Sequence, residues 1–206
     1  MIRVERAEEP PDFDAKVRKP GQAWLSRNDE KKGTPDSWRQ ARTDLRWAFN
    51  DRCGYTAMWL SSPGTVDHFV SRDEDRRLAY EWSNLRYAAA WINSSKSALR
   101  ADQVLDPFEI GDDWFEVILP SCQMIMTERC PSEFHERAKN MLGRLRLGHH
   151  EDIVSIRQEW YQMYSEGELT LEGLEKKAPL VARAVRKQKG EGCLAAQPVA
   201  PPEALG

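Results

Sequence analysis

The chain has 206 residues, with 30 lysines and arginines against 33 aspartates and glutamates, and a formal net charge of −3 at pH 7. A chain of this length is expected to form one domain, or one domain with extensions, around a sizeable core. The negative net charge excludes a general attraction to phosphate, so nucleic-acid binding would need local basic patches or a partner subunit.

The cysteines and the hydropathy of the chain indicate in which compartment the protein is expected. The four cysteines lie far apart without paired spacing, which predicts reduced thiols in a cytoplasmic protein. No apolar run approaches the roughly 20 residues of a membrane span, and the first residues lack the apolar stretch of a signal peptide. We therefore expect no contact with a membrane.

The first part of the chain predicts an arm followed by a helix. Residues 1–36 are rich in proline, glycine and charge, which predicts an extended N-terminal arm. Apolar residues recur at helical spacing from about 37 to 50 and predict a helix with one packed face. Its opposite face carries Arg39, Arg42 and Arg46. These arginines predict either a surface that follows a phosphate backbone or an ordinary solvated face.

Three blocks of chemistry-bearing residues follow within 30 residues of each other. The first, Thr65-Val66-Asp67-His68-Phe69, places a carboxylate directly before an imidazole. The second is Trp82-Ser83-Asn84-Leu85, and the third, Asn93-Ser94-Ser95-Lys96, falls on a predicted helix. A carboxylate beside a histidine supplies a metal ligand and a general base side by side, while a later amide can complete the oxygen shell of the metal.

These blocks, in this order, resemble the HNH endonuclease family in its His-Asn-Asn form, over roughly positions 53 to 97. The resemblance implies an α+β fold with a ββα-metal core between mainly helical flanks. It implies that His68 is the general base, that Asp67 and Asn93 bind one Mg²⁺ or Mn²⁺, and that Asn84 holds the His68 loop through backbone hydrogen bonds. Lys96 lies one helical turn beyond Asn93, where it is expected to contact a phosphate.

The resemblance departs from the family pattern at the zinc knuckle, in which one Cys-x-x-Cys precedes the Asp-His pair and another precedes the third-block asparagine. Here the first stretch reads Cys53-Gly54-Tyr55-Thr56 and the second reads Ala89-Ala90-Trp91-Ile92. One thiol cannot build a four-coordinate site, so we expect no structural zinc. We expect apolar packing at this joint instead, from Tyr55, Trp59, Tyr87, Trp91 and Ile92.

The remaining sequence predicts a strand and further helices. Residues 114–119 predict a strand that Pro120 ends, and apolar stripes predict helices over 132–147 and 150–165. The tail from Gly190 has three prolines and no periodicity, which predicts disorder. The predicted organisation is therefore an arm, a nuclease core with its preceding helix, a C-terminal helical region and a disordered tail, over 1–36, 37–120, 121–189 and 190–206.

The sequence thus predicts a metal-dependent HNH endonuclease that hydrolyses phosphodiester bonds of DNA. Its layout resembles the nuclease subunits that bacterial anti-phage systems of the Septu type pair with an ATPase, so an ATPase partner is expected. Two alternatives stay open. One is a non-catalytic nucleic-acid-binding or regulatory subunit on the same ββα scaffold, and the other is an RNA-directed nuclease toxin.

Overall fold

The computed structural model describes residues 1–28, 35–97 and 99–195, with side chains to residue 190. This part of the chain is mixed α+β, with two separate two-stranded antiparallel sheets. The strands are β1 (Thr65–His68), β2 (Leu85–Ala88), β3 (Phe115–Ile118) and β4 (Gln123–Met126). The α-helices are α1 (Lys19–Arg27), α2 (Arg42–Ala48), α3 (Ala90–Lys96), α4 (His135–Gly143), α5 (Glu151–Ser165), α6 (Leu171–Lys177) and α7 (Pro179–Ala195).

The N-terminal segment is helical, and the prediction of an extended arm is wrong for residues 14–27. A π-helical turn, Asp14–Arg18, runs directly into α1. Phe13, Val17 and Gly21 are buried on one face, and a Cβ added to Gly21 would meet the Tyr80 ring at 2.2 Å. These three residues follow the four-residue helical spacing, which the prolines and charges of the segment obscured. Residues 29–34 of the predicted arm lie outside the described residues.

The predicted helix over 37–50 is present in two pieces. A 3-10 helix over Asp36–Ala41 leads into α2. The chain then leaves the helix through Asn50 and Asp51, which have positive φ angles of 53° and 59°. Asparagine and aspartate tolerate this left-handed conformation better than most residues, which explains why the helix ends here.

The central unit consists of β1, β2 and α3. The strands pair in antiparallel register, with Asp67 opposite Arg86 and His68 opposite Leu85. Leu85 and Val66 are buried against the core that α1 and α2 cover. Helix α3 packs against β1, and its Ile92 enters the second core, which the C-terminal helices share. The ends of β1 and α3 are thereby held between two apolar clusters.

The C-terminal region contains the predicted strand and the two predicted helices, and its last helix, α7, is longer than the sequence predicts. β3, α4 and α5 fall within the predicted ranges, and α7 continues through residues 190–195. The prediction of disorder from Gly190 onward is therefore wrong for those six residues. Extending a helix from a packed segment costs little free energy per added residue. Residues 196–206 lie outside the described residues. Within the described part of the chain, no helix is both long and apolar enough to cross a membrane.

Candidate functional site

His68 ends β1 with a ring whose orientation is set by the backbone. Its Nε2 lies 2.9 Å from the carbonyl oxygen of Ala79. A carbonyl oxygen only accepts, so Nε2 carries the hydrogen and Nδ1 keeps its lone pair. Among the residues that the structure describes, Nδ1 has no hydrogen-bond partner. The pKa of His68 is lowered to about 4, chiefly by burial and also by the charges of Arg72 and Lys96, against the opposing effect of the Ala79 hydrogen bond. The ring is therefore neutral at neutral pH, with one lone pair available.

The Trp38 ring packs against this histidine, and two arginines lie over the Trp38 ring. The Trp38 ring contacts His68 edge-on, with centroids 5.1 Å apart and an interplanar angle of 82°. The guanidinium carbons of Arg39 and Arg72 lie 5.4 Å and 5.5 Å from the Trp38 ring centre. Neither Trp38 nor Arg72 was among the site residues predicted from the sequence. The position of Arg72, a basic residue four positions after His68, could have suggested that it lies near the site.

Asn84 ties together the two sides of the loop that follows His68. Its Oδ1 accepts a hydrogen bond from the backbone N–H of Val70 at 2.8 Å. Its Nδ2 donates to the carbonyl oxygens of Val70 and Leu78, at 3.0 Å and 3.1 Å. The side chain is 5% exposed. These are backbone contacts of the kind that the resemblance implies, and any contribution of Asn84 to a reaction stays a prediction.

Lys96 is buried, which corrects the prediction that it contacts a phosphate. Its ammonium group donates to the carbonyl oxygens of His68 and Phe69, at 2.7 Å and 2.9 Å, and lies 3.3 Å from Oδ1 of Asp67. Its side chain is 3% exposed. Lys96 lies one helical turn after Asn93, as predicted. Its side chain, however, faces β1 and not solvent. Lys96 therefore positions the backbone around His68.

Asp67 is enclosed by the same contacts. Its Oδ2 accepts a 2.6 Å hydrogen bond from the Tyr55 hydroxyl, and its Oδ1 faces Lys96. Burial raises the pKa of Asp67, while Lys96 and Tyr55 oppose that rise. Both carboxylate oxygens are thus occupied within the protein, with a cation already beside one of them.

The metal site that the resemblance implies fits these residues only in part. The Nδ2 of Asn93 donates to Thr65 Oγ1 and to the carbonyl oxygen of Val66, each at 3.1 Å, which leaves the amide oxygen as its ligand atom. A divalent ion at Asp67, however, would lie against the Lys96 ammonium, which repels it, and would share the carboxylate with the Tyr55 hydrogen bond. In this arrangement Asp67 does not fit a metal.

The three arginines of the predicted basic face are all exposed. Arg39 pairs with Asp36 at 2.9 Å, and Arg46 pairs with Asp51. Arg39 lies over the Trp38 ring that contacts His68, while Arg42 and Arg46 lie on α2. The predicted face is thus divided between the 3-10 helix and α2.

Buried side chains pack the region in which the HNH family carries its zinc knuckle. Tyr55, Tyr87 and Ile92 are buried, and Cys53 is a buried free thiol. Trp91 is 39% exposed, so it is packed less completely than Tyr55, Tyr87 and Ile92. Within residues 1–28, 35–97 and 99–195, no three His, Cys, Asp or Glu side chains are grouped so that they could hold an ion. The absence of structural zinc stays a prediction.

Neither a protein-family model nor a curated protein matches the chain. Comparison with known proteins therefore assigns it to no family.

Proposed function

We propose that this chain is an HNH-type endonuclease that hydrolyses phosphodiester bonds of DNA, with His68 as its general base. The observation that carries the proposal is the neutral His68 ring at the end of β1, which is fixed through Nε2 and whose Nδ1 has no hydrogen-bond partner among the described residues. The β1–β2–α3 order supports it, since two antiparallel strands and a helix are the ββα arrangement of that family.

The hydrolysis assigns a task to each residue around the base. Nδ1 of His68 takes a proton from a water molecule, whose oxygen attacks the phosphorus, and one P–O ester bond breaks. The leaving oxygen takes up a proton from solvent. Asn84 and Lys96 hold the backbone on both sides of His68 so that its ring keeps one orientation.

Substrate binding would also improve the base. A histidine whose pKa is about 4 is a weak base, although it is always in the correct protonation state at neutral pH. A bound phosphate places negative charge beside the ring, and negative charge raises the pKa of a histidine. The base is therefore expected to strengthen when nucleic acid is present.

Plasmid cleavage by the wild type, His68→Ala and His149→Ala tests the proposal, with Mg²⁺, Mn²⁺ or EDTA present. His149 is exposed, so its variant controls for the loss of an imidazole. We expect nicking or linearisation by the wild type and the His149 variant, and a loss of at least about 100-fold in His68→Ala. Equal cutting by both variants would exclude His68 as the base. Parallel RNA and DNA substrates separate a DNA nuclease from an RNA-directed toxin.

A second candidate is favoured by the enclosure of Asp67 between Tyr55 and Lys96. A non-catalytic nucleic-acid-binding or regulatory subunit would have no need of an accessible carboxylate. Such a protein would bind DNA equally well with histidine or alanine at position 68, and it would cut under no metal condition. The expectation of an ATPase partner rests on the layout of the chain alone. Copurification from the native host tests whether such a partner is bound.

A further inference from the structure

A cavity of about 440 Å³ lies at the opposite end of β1 and α3 from His68. Gly64, which precedes β1, and Ala90, which begins α3, both line this cavity. His68 and Lys96 stand at the other ends of the same two elements. Sites for small molecules typically have volumes of roughly 300–1,000 Å³ and mostly apolar linings. The cavity is therefore separate from the candidate base and large enough for a small organic ligand.

Three indole side chains line the cavity. Trp59 and Trp160 meet edge-on, with ring centroids 6.2 Å apart and an interplanar angle of 84°. Trp91, from the first turn of α3, adds a third ring and is 39% exposed. The faces of indole rings carry partial negative charge and attract cations, and sites that recognise quaternary ammonium groups are built from several such rings. The aromatic lining therefore favours a ligand with an organic cation.

One of these rings already accepts an ammonium group from the protein itself. The Nζ atom of Lys177 lies 3.3 Å from the centre of the Trp59 ring. Lys177 is not among the residues that line the cavity. The fold thus uses the Trp59 indole as a cation acceptor, and the charge of Lys177 opposes a second cation at the same ring.

The charge of the lining points in the same direction as its rings. Among the described residues that line the cavity, Glu159 alone is charged. It is exposed, and within the described part of the chain its carboxylate has no hydrogen bond or ion pair. The same lining residues include no lysine, arginine or histidine, so a phosphate group would find no cation there. A single carboxylate beside indole rings is complementary to a positively charged ligand.

We propose that this cavity binds a small organic cation that carries a methylated ammonium group on an apolar body. The ammonium group lies against the indole faces beside Glu159, and the apolar body packs against Leu60 and Ile156, which also line the cavity. A methylated ammonium group suits this lining because it has charge but needs few hydrogen bonds, and the lining offers rings in place of acceptors. This binding site goes beyond the proposed nuclease function and does not depend on it.

Isothermal titration calorimetry on the whole chain tests the proposal. Choline is compared with its neutral carbon analogue, in which a quaternary carbon replaces the nitrogen, so that the two probes share a shape and differ in charge. Benzyltrimethylammonium adds an apolar body, and guanosine tests whether the rings stack on a nucleobase instead. Two variants remove one feature each, Trp91→Leu an aromatic face and Glu159→Gln the charge.

Each variant has a matched control outside the cavity lining. Trp47→Leu replaces a tryptophan that is 69% exposed on α2, and Glu168→Gln replaces an exposed glutamate after α5. Circular dichroism of every variant verifies folding. Trp91→Phe replaces Trp91→Leu if the latter fails to fold, and Glu159→Gln, at an exposed position, keeps the test complete in either case.

We expect both cations to bind more tightly than the neutral analogue, and benzyltrimethylammonium to bind more tightly than choline. The loss of one ring in Trp91→Leu should weaken cation binding about three- to thirtyfold. Glu159→Gln should weaken cation binding several-fold and leave binding of the neutral analogue unchanged. Lys177→Met should strengthen cation binding, most clearly at low salt, because it removes an opposing charge beside Trp59. Trp47→Leu and Glu168→Gln should bind as the wild type does.

Four results would overturn the proposal. Equal binding of choline and its neutral analogue would show an apolar cavity without preference for a cation. Tighter binding of guanosine than of either cation would show a nucleobase site. Cation binding that Trp91→Leu and Glu159→Gln leave at the level of their controls would place the cation elsewhere on the protein. Failure of both cations to bind at millimolar concentrations would reject the site outright. None of these results depends on whether the protein cuts DNA.

Discussion

The ammonium group of Lys96 donates to the carbonyl oxygen of His68 at 2.7 Å, so a buried charge on α3 fixes the backbone at which β1 ends. Asp67, the residue before that histidine, supplies the opposite charge at 3.3 Å. The ion pair and the two carbonyl bonds satisfy a lysine that would otherwise be costly to bury. Strand and helix are thereby locked together beside the candidate base.

Replacement of Lys96 by methionine is expected to destabilise the protein by about 3–5 kcal/mol, because Asp67 would keep a buried charge without its partner. Urea unfolding measures the loss, and Lys176→Met, at an exposed position, is the matched control. The double variant Lys96→Met with Asp67→Asn should recover part of the stability, since it removes both charges. A loss in Lys96→Met no larger than that of Lys176→Met would contradict the buried ion pair.

Asn84→Asp should open the loop between Val70 and Leu78. Aspartate keeps the acceptor for the Val70 N–H and loses the two donated hydrogen bonds, each worth about 1 kcal/mol. We expect a destabilisation of about 2 kcal/mol and faster hydrogen exchange at the loop amides, whereas amides of α5 should change only through global stability. Exchange that speeds up equally in both segments would show that Asn84 does not act locally.

His68 should make stability depend on pH. Its pKa is about 4 in the folded protein and about 6.5 when unfolded, so the unfolded state binds more protons between these values. The contribution of His68 is complete above about pH 6.5 and is lost as pH falls toward 4. Between pH 7.5 and pH 5 the wild type should lose about 2 kcal/mol more than His68→Asn does.

Urea unfolding at the two pH values measures this difference, with His149→Asn as the control for an exposed histidine. The His149 variant should lose as much stability as the wild type on acidification. Parallel losses in the wild type and His68→Asn would show that the His68 ring titrates as freely in the folded state as in the unfolded one.

Metal binding is expected to be weak in the free protein. Asp67 is engaged by Lys96 and Tyr55, so titration with Mn²⁺ followed by electron paramagnetic resonance should give binding no tighter than millimolar. Lys96→Met frees one carboxylate oxygen and removes the competing charge, and its affinity for Mn²⁺ should rise at least about tenfold. Tight binding by the wild type would mean that Asp67 exchanges its partners readily, and would restore it as a metal ligand.

Sequence patterns were informative wherever a local rule decides the structure. The apolar periodicity of α2 and α5 and the β-branched and aromatic residues of β3 predicted those elements within a few residues. The strand-ending His68 and the helical Asn93 also lie on elements of the predicted type. The N-terminal segment was missed, because its prolines and charges hid the buried spacing of Phe13, Val17 and Gly21.

The sequence by itself determined which chemical groups follow one another in the three blocks, and their resemblance to a known family predicted the strand and the helix that carry them. Only the tertiary structure decided which partner each group has. It buried Lys96 against Asp67, which turned an expected phosphate ligand into a support for the backbone. It also gathered Trp38 and Arg72 around His68 from separate elements. The environment of a charge is set by the elements that pack against it, and that packing joins residues far apart in the chain.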